Sequence, residues 1–135
     1  MSINQINSSS YTSVNTAPTH DPQYTDFQNA EEAFEQALKN AQADPSTANI
    51  VLLQMAAKNL SAAETALKAT GVTEDTNMAT TYDALIGTNV ANIMSGDATK
   101  IRNQLDQWGP GGSQQGEWAD LVNNFATFDQ VFPKN

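Results

Sequence analysis

The sequence predicts an all-α protein, a helical hairpin that two or three further helices extend into a small bundle. In several segments apolar residues recur at spacings of three and four, which marks one face of a helix. No window shows the two-residue alternation and β-branched enrichment of a strand, and no Asn-Gly hairpin turn is present. With 135 residues, the chain is long enough for one domain with one core.

Residues 1–25 are predicted to form a flexible polar leader, and residues 26–135 a single helical domain. Ser, Thr, Asn and Gln dominate the leader, and prolines stand at Pro18 and Pro22. So few large apolar side chains cannot offset the entropy lost on ordering. The leader has no Lys or Arg and no apolar stretch, so a Sec-type signal peptide is not predicted. An ordinary frayed terminus and an export signal both remain open as interpretations.

Two helices, over about 26–43 and 47–69, form the predicted hairpin. Asp26 is a plausible cap for the first and Ser46 for the second. The step from Asp44 to Pro45 separates them, because the residue before a proline avoids helical geometry. Gly71 is well placed to end the second helix. The apolar stripes of the two helices contain Phe27, Ala30, Phe34, Leu38 and Ala41, then Ile50, Leu53, Ala57, Leu60 and Leu67.

The second helix of the hairpin is apolar on more than one face. Such a helix either sits centrally or is covered by a partner. The residues that widen its apolar surface are Val51, Leu52, Met55, Ala56, Ala62, Ala63 and Ala66.

Three more helices are predicted beyond the hairpin, over about 76–94, 98–108 and 114–132. Gly87 lowers the helix propensity of the first and predicts a break near that position. Gly96 ends it and Asp97 caps the next. The Gly-rich run at 109–113 predicts a loop. The last helix holds three of the five phenylalanines, which favours docking into the core over an exposed face that binds a partner.

The charge balance excludes some classes of function. There are 15 acidic and 6 basic side chains, a formal net charge of -9, and the basic ones are scattered. Nucleic-acid binding and attachment to anionic membranes both need clustered positive charge, so neither is predicted. No apolar run approaches the roughly 20 residues of a membrane-spanning helix. The chain has no cysteine, so it has no disulfides and no thiolate ligands for zinc.

No catalytic constellation is recognisable, and we expect no enzyme, no cofactor and no metal. The only histidine, His20, lies in the polar leader, where nothing would fix its tautomer. The acidic groupings at 31–35 and 74–75 lack the spacing of an EF-hand and are interpreted as a solvated helix face and a turn. Glu64 is the one carboxylate predicted to have its pKa raised by burial, unless it reaches solvent or pairs with Lys68.

The hairpin resembles the helix–Pro-Ser–helix hairpin of type III secretion needle-type subunits. The resemblance lies in the run ALKNAQADPS at 37–46, followed by LLQ at 52–54 and KNL at 58–60. The opening SINQINSSS at 2–10 is similar to the uncleaved export signals of type III substrates. The resemblance covers roughly residues 27–71 plus the leader. Such subunits are small, cysteine-free helical proteins that pass unfolded through a secretion channel and polymerise, so it implies a secreted or cell-surface protein.

Three hypotheses of function follow. The first is an extracellular structural subunit, associated with a filament, pilus or needle, that binds other subunits. The second is a small secreted effector or protein-binding module that acts through the aromatic C-terminal helix. The third is an acidic cytoplasmic secretion chaperone, although such chaperones are usually mixed α/β. A generic helical domain unconnected with secretion also remains. The candidate interaction residues are Ile50, Leu53, Ala57, Leu60, Trp108, Trp118, Phe125, Phe128 and Phe132.

Overall fold

The computed structural model describes residues 20–133, which form helices around one core and include no strand. The all-α prediction is confirmed. The predicted export signal lies outside the described residues. The helices are α1 (Pro22–Ala43), α2 (Thr47–Ala69), α3 (Thr73–Tyr82), α4 (Thr88–Ser95), α5 (Ala98–Trp108) and α6 (Gln115–Val131), and a π-helical turn, Asp83–Gly87, joins α3 to α4 in one long helix.

α1 and α2 form the predicted antiparallel hairpin, closed by a short hydrogen-bonded turn. The Ser46 hydroxyl accepts a hydrogen bond from the Asn49 amide at 3.2 Å, as an N-cap does. The Asn49 side chain donates in turn to the Asp44 carbonyl at 2.9 Å. Arg102 of α5 donates from Nε to the Pro45 carbonyl at 3.3 Å, so the turn is also tied to the bundle.

The first helix begins earlier than predicted, at Pro22 rather than near residue 26. Asp21, not Asp26, is the N-cap, and its Oδ1 accepts a hydrogen bond from the Tyr24 amide at 2.9 Å. Proline is favoured in the first turn of a helix, where its missing N–H costs nothing. Tyr24 is buried in the core, which offsets the entropy of ordering this polar stretch.

The third predicted helix continues through the position where a break was expected. Instead of ending near Gly87, the chain widens into the π turn and carries on as α4. Leu85 lies in this turn, and its carbonyl accepts a hydrogen bond from the Asn124 side chain of α6 at 3.0 Å. The irregular turn is therefore also a point of attachment for the last helix.

The core lies where the apolar stripes of all the helices meet. Phe27 of α1 packs edge-on against Tyr82 of α3 at 5.1 Å between ring centres, and against Phe128 of α6 at 6.1 Å. The loop before α6 lies so close to α5 that a Cβ on Gly112 would clash with the Gln107 carbonyl oxygen. Gln28 of α1 donates to the carbonyls of Phe132 at 2.9 Å and Pro133 at 3.2 Å. These contacts fix both ends of α6 on the bundle.

Truncating the inner stripe of α2 is expected to destabilise the protein far more than truncating its outer face. Leu53 and Leu60 are fully buried, whereas Leu52 is 56% exposed. We expect Leu53→Ala or Leu60→Ala to lower the free energy of unfolding by about 2–5 kcal/mol. Leu52→Ala, the matched control, should change it by about 0.5 kcal/mol or less. Chemical denaturation of the three variants measures this, and an equal loss for Leu52 and Leu53 would contradict the packing.

Candidate protein-interaction surface

Most of the candidate interaction residues lie in the chain's own core, where they are not accessible to a partner in the folded monomer. The physical reason is that the apolar stripes of α2, α5 and α6 all turn towards one common core. The buried members of the set are Ile50, Leu53, Ala57, Leu60, Trp108, Phe125 and Phe128.

The other two candidates are partly buried at the edge of the core. Trp118 lies against Trp108 with 5.7 Å between ring centres, and Phe132 lies against Phe128 at 5.2 Å. Both pack on the core with one side exposed. The aromatic C-terminal helix is therefore docked inward, the interpretation that its aromatic density favoured.

The exposed apolar side chains are concentrated instead on the outer face of α2. Val51, Leu52 and Met55 are 48%, 56% and 54% exposed. Their neighbours Ile50 and Leu53 are buried, so α2 carries one apolar stripe inward and a second outward. In the sequence, this second stripe appeared only as an apolar surface wider than one helical face. The sequence did not show which of the two stripes the other helices of the chain would bury.

A shallow groove of about 490 Å³ runs beside this outer stripe, between α1 and α2. It contains no ionisable side chain, although the chain as a whole is strongly acidic. We call this groove and its walls the hairpin face; it is lined by Asn29, Ala30, Ala33, Ala37, Leu52, Met55, Ala56 and Asn59.

The shape of the hairpin face suits the packing of another helix. Alanines on α1 form a low floor, and Leu52 and Met55 stand beside it as a ridge. Helices pack by fitting the side-chain ridges of one into the grooves of the other. Thioether and leucine side chains adapt well to such contacts. The groove itself therefore presents a helical partner with no charged side chain to desolvate.

A second cavity of about 340 Å³ lies between α4, α5 and the middle of α2. Beside it, Gln54 of α2 donates from its side chain to the Gly96 carbonyl at 2.7 Å and the Ile93 carbonyl at 3.3 Å. Its walls combine polar side chains, among them Asn92 and Lys100, with about as many apolar ones, among them Ile101 and Trp108. This set contains no paired nucleophile and base.

Glu64 combines two features that the sequence left as alternatives, a raised pKa and a pairing with Lys68. Burial, together with a hydrogen bond and the charge of Asp83, raises the pKa of Glu64 to about 7. Lys68 lies 3.3 Å from Glu64 and 3.2 Å from Asp83, and it offsets part of that rise. The group is a local ion network between α2 and the π turn.

Two other acidic residues, one interpreted as part of a solvated helix face and one as part of a turn, are in fact buried. Asp75 at the start of α3 is fully enclosed, and its Oδ2 accepts a hydrogen bond from the Thr70 hydroxyl at 2.6 Å. Burial, and next a hydrogen bond with Asp21, raise the pKa of Asp75. Glu31, the other buried carboxyl, lies between α1 and α6, and burial together with Asp129 raises the pKa of Glu31 to about 9.

His20 is held by α1 and α3 rather than free in the leader. Its Nδ1 lies 2.8 Å from Glu74 Oε1, and its ring stacks on Tyr24 with 3.8 Å between ring centres. These contacts orient the imidazole, but no hydroxyl or thiol nucleophile is bonded to it among the described residues.

No family model, curated protein or solved structure matches the chain. The function is therefore inferred from the residues on its surface. In the part of the chain that the structure describes, no helix has the length and apolar character needed to cross a membrane.

Proposed function

We propose that the chain is a non-enzymatic structural subunit, exported by a bacterial type III-like apparatus, that associates with further copies of itself through the hairpin face. The observation that carries the proposal is the exposed apolar ridge of Leu52 and Met55 beside an alanine groove. Export and a secreted or cell-surface location rest on the resemblance of the leader and hairpin to type III secretion substrates. A cytoplasmic location is the alternative.

A second copy of the chain is the favoured occupant because of charge. Each copy carries a formal net charge of -9, so two copies repel each other over most orientations. The hairpin face is a region where two copies can meet without bringing carboxylates together, since its lining has no ionisable side chain. The ridge of one copy then fits the alanine groove of the other in a self-complementary, two-fold arrangement. A filament would require a further, different contact.

The alternative of an effector that acts through the aromatic C-terminal helix has less support, because Phe125 and Phe128 are buried. An effector that binds a different protein would have to use the hairpin face itself. A mixed α/β chaperone also has less support, since residues 20–133 include no strand.

Placing a charge on the hairpin face is expected to abolish association. We expect the wild-type mass to rise with concentration above 14.5 kDa, and Leu52→Asp to remain monomeric. The reason is that a symmetric contact would bury the new carboxylate in both copies. Light scattering across a concentration series measures the mass, and higher salt should favour the wild-type complex by screening the net charge.

The matched control is Val131→Asp, at a position that is 55% exposed on α6 and remote from the hairpin face in the sequence. It should associate like the wild type. A wild-type chain that remains at 14.5 kDa at every concentration would overturn self-association. Equal weakening by both aspartates would place the contact elsewhere.

A further inference from the structure

Two aspartates face each other where the start of α1 meets the start of α3. Asp75 is fully buried, and Asp21, the N-cap of α1, lies within hydrogen-bonding reach of it. The Oδ2 atom of Asp75 accepts a hydrogen bond from the Thr70 hydroxyl at 2.6 Å, but its Oδ1 atom has no donor among the described residues. Two ionised carboxylates are both acceptors, so they can bond to each other only when a proton lies between them. The junction of these two helices therefore has a place for one proton.

The surroundings of the two carboxyls determine which of them holds the proton. Burial, and next the hydrogen bond with Asp21, raise the pKa of Asp75. The same hydrogen bond lowers the pKa of Asp21, whose carboxylate also accepts a hydrogen bond from the Tyr24 amide at 2.9 Å. Protonated Asp75 therefore donates to ionised Asp21, and ionised Asp21 caps α1.

A second link joins the same two turns at the neighbouring positions in the sequence. His20 precedes Asp21, and its Nδ1 lies 2.8 Å from Oε1 of Glu74, the residue before Asp75. The imidazole is held in place by stacking on Tyr24, with 3.8 Å between ring centres. A histidine that gains a proton below neutral pH turns such a contact into an ion pair. Both links are therefore stronger with a proton bound, and they respond to pH in the same direction.

The charged groups at this junction are acidic apart from His20. The charges that face Asp75 are those of Asp21 and Glu74. Burial, and next the charges of Glu74 and Asp75, raise the pKa of the Tyr24 phenol. No lysine or arginine forms an ion pair with these carboxylates in the part of the chain that the structure describes. When the protons leave, the two helix starts repel each other.

We propose that the links His20–Glu74 and Asp21–Asp75 form a pH-sensitive clasp, which holds the first turn of α1 on α3 in mild acid and loosens as the pH rises. The pKa of Asp75 is raised from 3.8, so its contribution to stability is complete below pH 3.8 and is lost as the pH rises through its folded-state pKa. The pKa of Asp21 is lowered from 3.8, so its contribution is present above pH 3.8 and is lost only in stronger acid. The clasp is therefore tightest in mild acid. This inference is independent of the proposed function.

Hydrogen exchange of the Tyr24 amide tests the clasp, because this amide bonds to Asp21 and is released when the first turn of α1 opens. The full chain, labelled with ¹⁵N, is followed by NMR at about pH 5 and about pH 8, the range over which histidines change charge. Protection factors remove the direct effect of pH on exchange. In the wild type, the protection factor of Tyr24 should fall at least about tenfold between the two pH values, the change that one pKa unit produces.

Asp75→Asn should abolish most of this fall. Asparagine offers an N–H where the shared proton lay and an oxygen for the Thr70 hydroxyl, so the variant should fold and keep the clasp closed at both pH values. Its protection factor should fall no more than about threefold, because only the weaker, partly exposed pair of His20 and Glu74 still responds. Asp21→Asn, which retains an N-cap side chain, also removes the repulsion and should give the same result.

Asp106→Asn is the matched control, an exposed aspartate of α5. Its Tyr24 amide should lose protection as the wild type does. The proposal is overturned if the wild-type protection factor is the same at both pH values. It is also overturned if Asp75→Asn and Asp21→Asn lose as much protection as the wild type, because the pH dependence would then come from another part of the bundle.

Discussion

Replacing Phe27 by alanine is expected to remove a large part of the stability of the bundle. This ring is fully buried, and it packs edge-on against Tyr82 of α3 and against Phe128 of α6. A cavity at this junction would loosen three helices at once. We expect Phe27→Ala to lower the free energy of unfolding by about 3–5 kcal/mol, against a total of about 5–15 kcal/mol for a typical domain.

Urea unfolding followed by circular dichroism measures this loss. The conservative variant Phe27→Leu retains most of the apolar volume and should lose clearly less. A loss below about 1 kcal/mol for Phe27→Ala, the ordinary size for a point mutation, would contradict the central place given to this ring.

Replacing Glu31 by glutamine is expected to stabilise the protein at high pH by several kcal/mol. Burial and Asp129 raise the pKa of Glu31 in the folded chain to about 9, from an ordinary value of 4.5. The folded state therefore holds a proton that the unfolded state has lost between these two values. The stability contributed by Glu31 is present below pH 4.5 and is lost progressively as the pH rises towards 9.

Glutamine has the shape of protonated glutamate and does not titrate, so Glu31→Gln removes this loss. The stability of the variant relative to the wild type should grow by up to about 1.4 kcal/mol per pH unit across this interval. Denaturation at a series of pH values measures the difference. Glu117→Gln, an exposed change on α6, is the control and should show no such trend. A difference that is constant with pH would show that Glu31 keeps an ordinary pKa.

Local signals in the sequence predicted the helices where those signals are strong. Asp97 and the Gly-rich loop define α5 at both ends, and Ser46 and Pro45 define the hairpin turn, because caps and breakers act over a few residues. The start of α1 was missed because the leader is polar on average. What orders Pro22 to Tyr24 is burial of one ring against the rest of the bundle, which is a tertiary effect.

The burial of acidic side chains such as Glu31 was also not predicted, because it too depends on tertiary packing. A run of glutamates indicates a solvated helix face, and nothing within α1 reveals that Phe128 and Phe132 line the same cavity as Glu31. Those aromatic residues come from about 100 positions further along the chain. The two apolar stripes of α2 were visible as one wide surface. Only the packing of α3 to α6 determines that Leu53 points inward and Leu52 outward.

The hairpin face as a contact between copies is the central claim, and cysteine crosslinking tests it most directly. The chain has no cysteine, so a single Met55→Cys substitution gives one reactive position without background. With a short bismaleimide, Met55→Cys should form a covalent dimer of twice 14.5 kDa rapidly. Val131→Cys, equally exposed on α6, should form it slowly. Equal rates at the two positions would mean that copies meet only by random collision, and would contradict the account.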